Sequence, residues 1–198
     1  MFKAAAARRV ITPDPLLPVT AGPGNVRYPE QLLMDLELRA LVIEHDGTRL
    51  ALLSMPFIGW TGPLYRRVCS LVHEVPRDHI LIAATHTHAA PDVYGLPGED
   101  GDSIIDAAYL TWVCGQAAEA VSEAVASLSP VHVKMGTGEV EGQVAYNLYA
   151  PQLLDRRCSV MQFVDGSGST VATLVNYAVH PEILLNQPVC APDLVGPL

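Results

Sequence analysis

Positive charge is scarce in this chain. Only 12 Lys and Arg stand against 21 Asp and Glu in 198 residues, a formal net charge of −9. The basic residues are scattered, clustering only in pairs such as Arg8–Arg9 and Arg156–Arg157. Nonspecific binding to nucleic acid or to an anionic membrane needs clustered Lys and Arg, so neither partner is expected. Long apolar runs are lacking as well: nothing approaches the roughly eighteen residues that a membrane-spanning helix requires, so no transmembrane segment is expected. The N-terminus, "MFKAAAARRVITPDP", places Arg8 and Arg9 after its short alanine run. A signal peptide has the opposite order, and the chain reads as cytoplasmic. Cysteine is sparse. Cys69, Cys114, Cys158 and Cys190 are far apart with no CxxC, which favours free buried thiols over disulfides or a zinc–thiolate site.

Some catalytic signatures are missing too. Ser54, Ser70 and Ser103 lie in no G-x-S-x-G elbow, so a serine hydrolase has no support. Gly22 and Gly24 in "TAGPGN" fit neither a P-loop nor a dinucleotide fingerprint. A backbone turn lining a pocket is the better reading there, and it makes Gly22 a substrate-binding candidate.

What remains is a chain able to fold. It is 49% apolar and only 17% charged, the balance of a globule rather than of a disordered segment. "LELRALVIE" and "RLALLSMPFIG" flank Asp46-Gly47, a strong hairpin signal. "TGPLYRRVCSLVHEV" carries Leu64, Val68, Leu71 and Val72 at helical spacing. "HILIAAT" is a continuous apolar run, the pattern of a strand buried on both faces. The Gly/Pro/Asp-rich residues 93–102 form a loop, after which Asp102 or Ser103 is expected to cap a long helix ending at Ser129-Pro130. "VHVKMGTGEV" reads as a strand, and a second hairpin turns at Asp165-Gly166-Ser167-Gly168. The order of elements predicts one α/β domain over 1–198, a mixed β-sheet flanked by helices. The closing "CAPDLVGPL" completes no element, so the chain is expected to be the front part of a longer protein.

The seven histidines fall into two groups. His45, His73 and His79 read as solvated surface residues, and His132 as a residue on the polar face of a strand. His86 and His88, in "ILIAATHTHAAPD", are two residues apart in extended chain and so share a side. They lie where a strand runs out into a loop, the edge at which ligands collect in α/β sheets. On spacing alone, a metal pair and two hydrogen-bonded polar residues are both open readings. "LVNYAVHPE" delivers another histidine, His180, at a strand end closed by Pro181. Two strands each ending in histidine is what convergence on one metal requires. No fourth ligand is evident, because Asp92, Glu99, Asp100 and Asp102 fall in the loop. Asp193 has two readings, as a helix N-cap or as support for a pocket histidine.

"ATHTHAAPD" resembles the Thr-His-Thr-His-Ser-Gly-Pro motif of the neutral/alkaline, non-lysosomal ceramidases, in their N-terminal catalytic domain. "VITPDPLLPVTAGPG", "DLELRALVIEHDGTRLALLSM", "VNYAVHP" and "APDLVG" resemble further segments of that domain. The resemblance implies Zn2+ held by His86 and His180, with His88 facing the substrate and donating to the scissile carbonyl oxygen. It also implies a family glutamate and a tyrosine ligand, which would fall beyond Leu198. Asn147 matches a family Asn-Arg pair, which makes it a second substrate-binding candidate. Leu148 replaces the arginine, Pro56 stands where the family carries aspartate, and Ala89-Ala90 replace Ser-Gly. The expected activity is zinc-dependent hydrolysis of an amide, N-acylsphingosine or a related small-molecule or lipid amide. The alternative is a metal-binding homologue without catalysis. An amidohydrolase barrel with HxH on its first strand is the weaker third reading, since the chain is short for eight strand–helix units. Oligomeric state is not legible in the sequence.

Overall fold

The computed structural model describes residues 1–22, 25–98, 100–142 and 144–197. Gly24 and Glu99, both considered above, lie outside these residues. Alanine-rich β1 (Lys3–Val10) opens the chain and is followed by three two-residue strands, β2 (Val19–Thr20), β3 (Val26–Arg27) and β4 (Gln31–Leu32). The expected hairpin is β5 (Glu37–His45) and β6 (Thr48–Met55), after which come α1 (Gly62–Leu71) and β7 (Ile80–Ala84). Then follow α2 (Ala107–Ala126), β8 (Ser129–Pro130), β9 (His132–Glu139), β10 (Arg157–Val164), β11 (Thr170–Tyr177) and β12 (Val189–Cys190). No helix among the described residues is long and apolar enough to cross a membrane.

The turn residues explain the hairpin at the centre. Asp46 and Gly47 have φ of 48° and 78°, and two successive positive φ angles are what a two-residue turn of matching twist demands. The main sheet has strand order β7-β6-β5-β1-β8. It is mixed: β6 and β7 run parallel with α1 as their crossover, and the other pairs are antiparallel. Side-chain alternation then builds two cores. Leu38, Ala40, Val42, Ala51, Leu53 and Met55 face a cluster with both helices. Leu41, with partly buried Ile43 and Leu52, faces a second cluster around Val131 and Phe163. The second cluster is closed by the three-stranded sheet β11-β10-β9. The molecule is therefore layered as helices, mixed sheet, antiparallel sheet. Helix α2 buries Leu110, Val113, Cys114, Ala117, Val121 and Ala124, one stripe at helical spacing. The small residues of that stripe meet Ala5 and Ala7 of β1, and small side chains let helix and sheet approach closely.

Two expectations about elements are corrected. β7 is not buried on both faces: Ile80 and Ile82 pack on the helix-side core, while Leu81, 58% exposed, and Ala83 point to an uncovered face. Helix α2 begins later than expected. Ser103 bridges Pro97, and the Ile104 amide donates to Leu96 O, which ties both residues into the loop. Asp106 is the cap instead, its side chain accepting from the Tyr109 amide at 2.7 Å.

Candidate metal centre

The parallel pair β6 and β7 ends at one edge of the sheet, and the two chains leave it together. Thr85 and His86 donate their amides to Met55 O and Phe57 O, both at 2.9 Å. His86 has φ of 70°, a left-handed conformation that non-glycine residues avoid, so the extended chain expected through the HxH pair is broken at its first histidine and the two rings meet by this turn instead. Its turn carries the ring to Ile58 O, which accepts from His86 Nδ1. Thr87 is fully buried and donates to Ala191 O at 3.0 Å, while the Ala191 amide returns a bond to Ala89 O at 2.8 Å. His88, also buried, donates from Nδ1 to Ala21 O at 3.2 Å.

His180 comes from the other sheet. It follows β11, and buried Pro181 turns the chain toward the 182–191 segment that returns beside β4. Its Nδ1 lies 3.1 Å from a Glu182 carboxylate oxygen. The three rings meet: centroids are 4.9 Å apart for His86–His88, 4.6 Å for His86–His180 and 4.8 Å for His88–His180. One ring nitrogen of each lies within 4.8 Å of the other two.

Hydrogen-bond chemistry fixes the tautomers. A carbonyl or carboxylate oxygen can only accept, so Nδ1 of each ring carries a proton, and a ring in its neutral form has its Nε2 free to coordinate. The Nε2 atoms of His88 and His180 are 2.8 Å apart. A proton on one of them makes this contact a hydrogen bond, and a cation bound by both would take that proton's place. Burial, with the neighbouring His180 and His86 adding to it, lowers the His88 pKa below the usual imidazole value and so favours the neutral ring, the form that coordinates a cation. The donor set therefore fits a cation of imidazole preference.

Gly22 is part of this site through the backbone. Its amide is bonded to Thr20 Oγ1 at 3.1 Å, and its φ of 120° makes the turn that presents Ala21 O to His88. Asn147 is not drawn to the histidines by any of its bonds. Its side chain accepts from the Tyr149 and Ala150 amides and donates to Leu153 O, all within its own loop. Asp92 is not in a loose loop. It is buried and takes the amides of Tyr94, Gly95 and Leu96, the shortest at 2.6 Å. Asp193 opens a 3-10 turn, Asp193–Val195, and its carboxylate accepts from the Leu184 amide at 2.9 Å, holding the loop after His180. His45, His73 and His132 are exposed, and His79 bonds Arg49 O through Nδ1 at 3.0 Å.

Sequence reasoning missed two residues. Glu182 had a local signal, standing two positions after His180 in "HPE". Arg27 had none: it emerges as a partner of His88 O, Leu184 O and Gln187 O only once the chain is folded. A cleft of about 310 Å³ lined by Arg8, Glu37, Arg39, Ser54 and Thr85 borders this region without including the histidines.

No protein-family model and no curated protein sequence matches the chain. Solved structures do match in fold. A ceramidase complexed with C2 superposes with a TM-score of 0.78 at 18% identity, covering 98% of this chain and 34% of that one. The neutral ceramidase from Pseudomonas aeruginosa gives 0.77 at 19% identity, with the same 98% and 34% coverage. The chain thus spans about a third of the length of these structures. The resemblance carried by "ATHTHAAPD" and its flanking segments holds at the level of the fold, and this chain has a ceramidase-like α/β fold.

Proposed function

We propose that the chain belongs to a zinc-dependent hydrolase of an amide bond, acting on an N-acylsphingosine or a related lipid or small-molecule amide. The observation that carries the metal reading is the convergence of one ring nitrogen from each of His86, His88 and His180 within 4.8 Å of one another. His86, His88 and His180 would hold the ion, and three neutral imidazoles leave a position open for water or substrate, as catalytic zinc sites do. When bound, zinc would supply Lewis acidity and a water acidic enough to ionise near neutral pH. The chain's own groups then have definite tasks. Ile58 O and Ala21 O fix the ring orientation of His86 and His88, and the Glu182 carboxylate does the same for His180.

The resemblance gave His88 another task, donation to the scissile carbonyl. Donation needs a proton on Nε2, whereas a neutral ring that donates from Nδ1 to Ala21 O has none there, and burial favours the neutral form. That favours His88 as the third ligand, with Gly22 shaping the turn against it. The two roles separate in the metal content of a His88→Ala variant.

Turnover is the direct test. Short-chain N-acylsphingosine is offered to the protein as purified, after chelation, and after zinc is restored. Release of the fatty acid that is lost on chelation and regained with zinc is expected. A zinc-loaded protein with no turnover on this or simpler N-acyl amides would favour the second reading, a metal-binding homologue without catalysis. That reading has its own support, since Asn147 is spent within its loop and, among the described residues, no carboxylate is grouped with the three ring nitrogens as a fourth ligand.

A further inference from the structure

The two halves of the histidine cluster come from segments about ninety residues apart and from different sheets, so something must hold them at ligand distance. β-strand pairing does not: β7 and β11 belong to separate sheets. Beyond the Thr87 and Ala191 contacts and the meeting of the rings themselves, Arg27 is the side chain among the described residues that hydrogen-bonds to both segments. Arg27, on the short β2–β3 ribbon, directs its guanidinium into the space between the segments. Nη2 donates to the carbonyl of His88 itself. Nη1 donates to Leu184 O at 3.0 Å and Gln187 O at 2.7 Å, in the loop that follows His180. Among the described residues it has no ion-pair partner, burial alone lowering its pKa, and its Nε is buried without a hydrogen bond. A guanidinium committed wholly to carbonyls is held for its geometry rather than for charge pairing. Its planar fork can serve several acceptors at fixed angles, which a lysine ammonium on a flexible stem cannot match.

We infer that Arg27 is the positioning residue of the metal centre, cross-linking the His88 backbone to the His180 loop so that the imidazoles meet. It touches neither ion nor substrate. Its ribbon also carries Ala21 and Gly22, so one element fixes both the backbone of His88 and, through Ala21 O, the tautomer of its ring. The inference rests on the metal reading above and deepens it.

The test compares the parent with Arg27→Lys and Arg27→Ala by calorimetric titration with Zn2+, with circular dichroism as the check on folding. Loss of a group that orients metal ligands typically costs about 10- to 100-fold in metal affinity, and that loss is expected in Arg27→Lys although the charge is kept. Millimolar methylguanidinium is expected to restore affinity to Arg27→Ala, which a general loss of stability would not allow. Parent-like zinc affinity in a folded Arg27→Lys would overturn the inference. Failure of the parent to bind zinc would instead remove the metal reading. Long-range 1H–15N spectra of the metal-free histidine rings then decide on Arg27, with unchanged His88 and His180 resonances in Arg27→Lys counting against it. If Arg27→Lys does not fold, the methylguanidinium arm with Arg27→Ala carries the decision, and absence of rescue overturns the inference.

Discussion

At the scale of single residues, burial controls protonation, and the consequences can be measured. The His88 imidazole has its pKa lowered by burial first and by its neighbouring histidines second. A histidine favoured neutral in the folded state contributes stability that is fully present above the unfolded-state pKa, about 6.5. That contribution is lost as pH falls through the lower folded value. Urea unfolding between pH 7.5 and 5 is expected to show stability falling on acidification in the metal-free protein, with a shallower fall in His88→Gln. An identical slope in both would contradict the assignment. The thiols behave in the opposite sense. Burial pushes Cys114 up to about 11 and Cys190 up to about 12, and thiolate is the reactive form. A thiol reagent at pH 8 is expected to modify half-buried Cys69 and Cys158 first. Cys114 and Cys190 should follow only on unfolding, as counted by mass spectrometry.

At the scale of elements, what the sequence could reveal depended on how local the determining contact is. The first hairpin was legible because Asp46-Gly47 settles its turn within two residues, and α2 because its apolar stripe repeats along one face. Its start was not legible. Asp102, Ser103 and Asp106 are all capable caps, and the choice is made by the Pro97–Ser103 bridge and the Ile104–Leu96 bond. Asp106→Ala is therefore expected to cost about 0.5–2 kcal/mol of stability, and Asp102→Ala close to nothing, by chemical denaturation. An equal loss in both would contradict the cap. β7 was misjudged because a strand covered on one face can be as apolar as one covered on both, and only the layers packed against the sheet separate them. Phe57 belongs to the helix-side core and is fully buried at the point where the chain leaves β6 for the site. Phe57→Ala is expected to cost about 3–5 kcal/mol, as other buried aromatic truncations do. It should also loosen the segment whose Ile58 carbonyl orients His86.

At the scale of the whole molecule, the site is where two sheets and a ribbon are brought together. His86 and His88 leave the mixed sheet, His180 leaves the antiparallel sheet, and the β2–β3 ribbon supplies Ala21 and Arg27 to join them. The histidines could be picked out from the sequence because each ends an apolar strand run. Their supports could not, since Arg27 is roughly 160 residues from its farther carbonyls and Ile58 is 28 from His86. Asn147 shows the converse: a residue marked by resemblance can still spend its side chain on its own loop.

The central claim is that three imidazoles from these two segments share one cation. Elemental analysis of the zinc-equilibrated parent beside His86→Ala, His88→Ala and His180→Ala tests it most directly. The account predicts close to one zinc per chain in the parent and a large loss in each of the three variants. A parent without zinc, or a His88→Ala variant that keeps it, would contradict the three-imidazole centre, the latter returning His88 to the substrate side of the site.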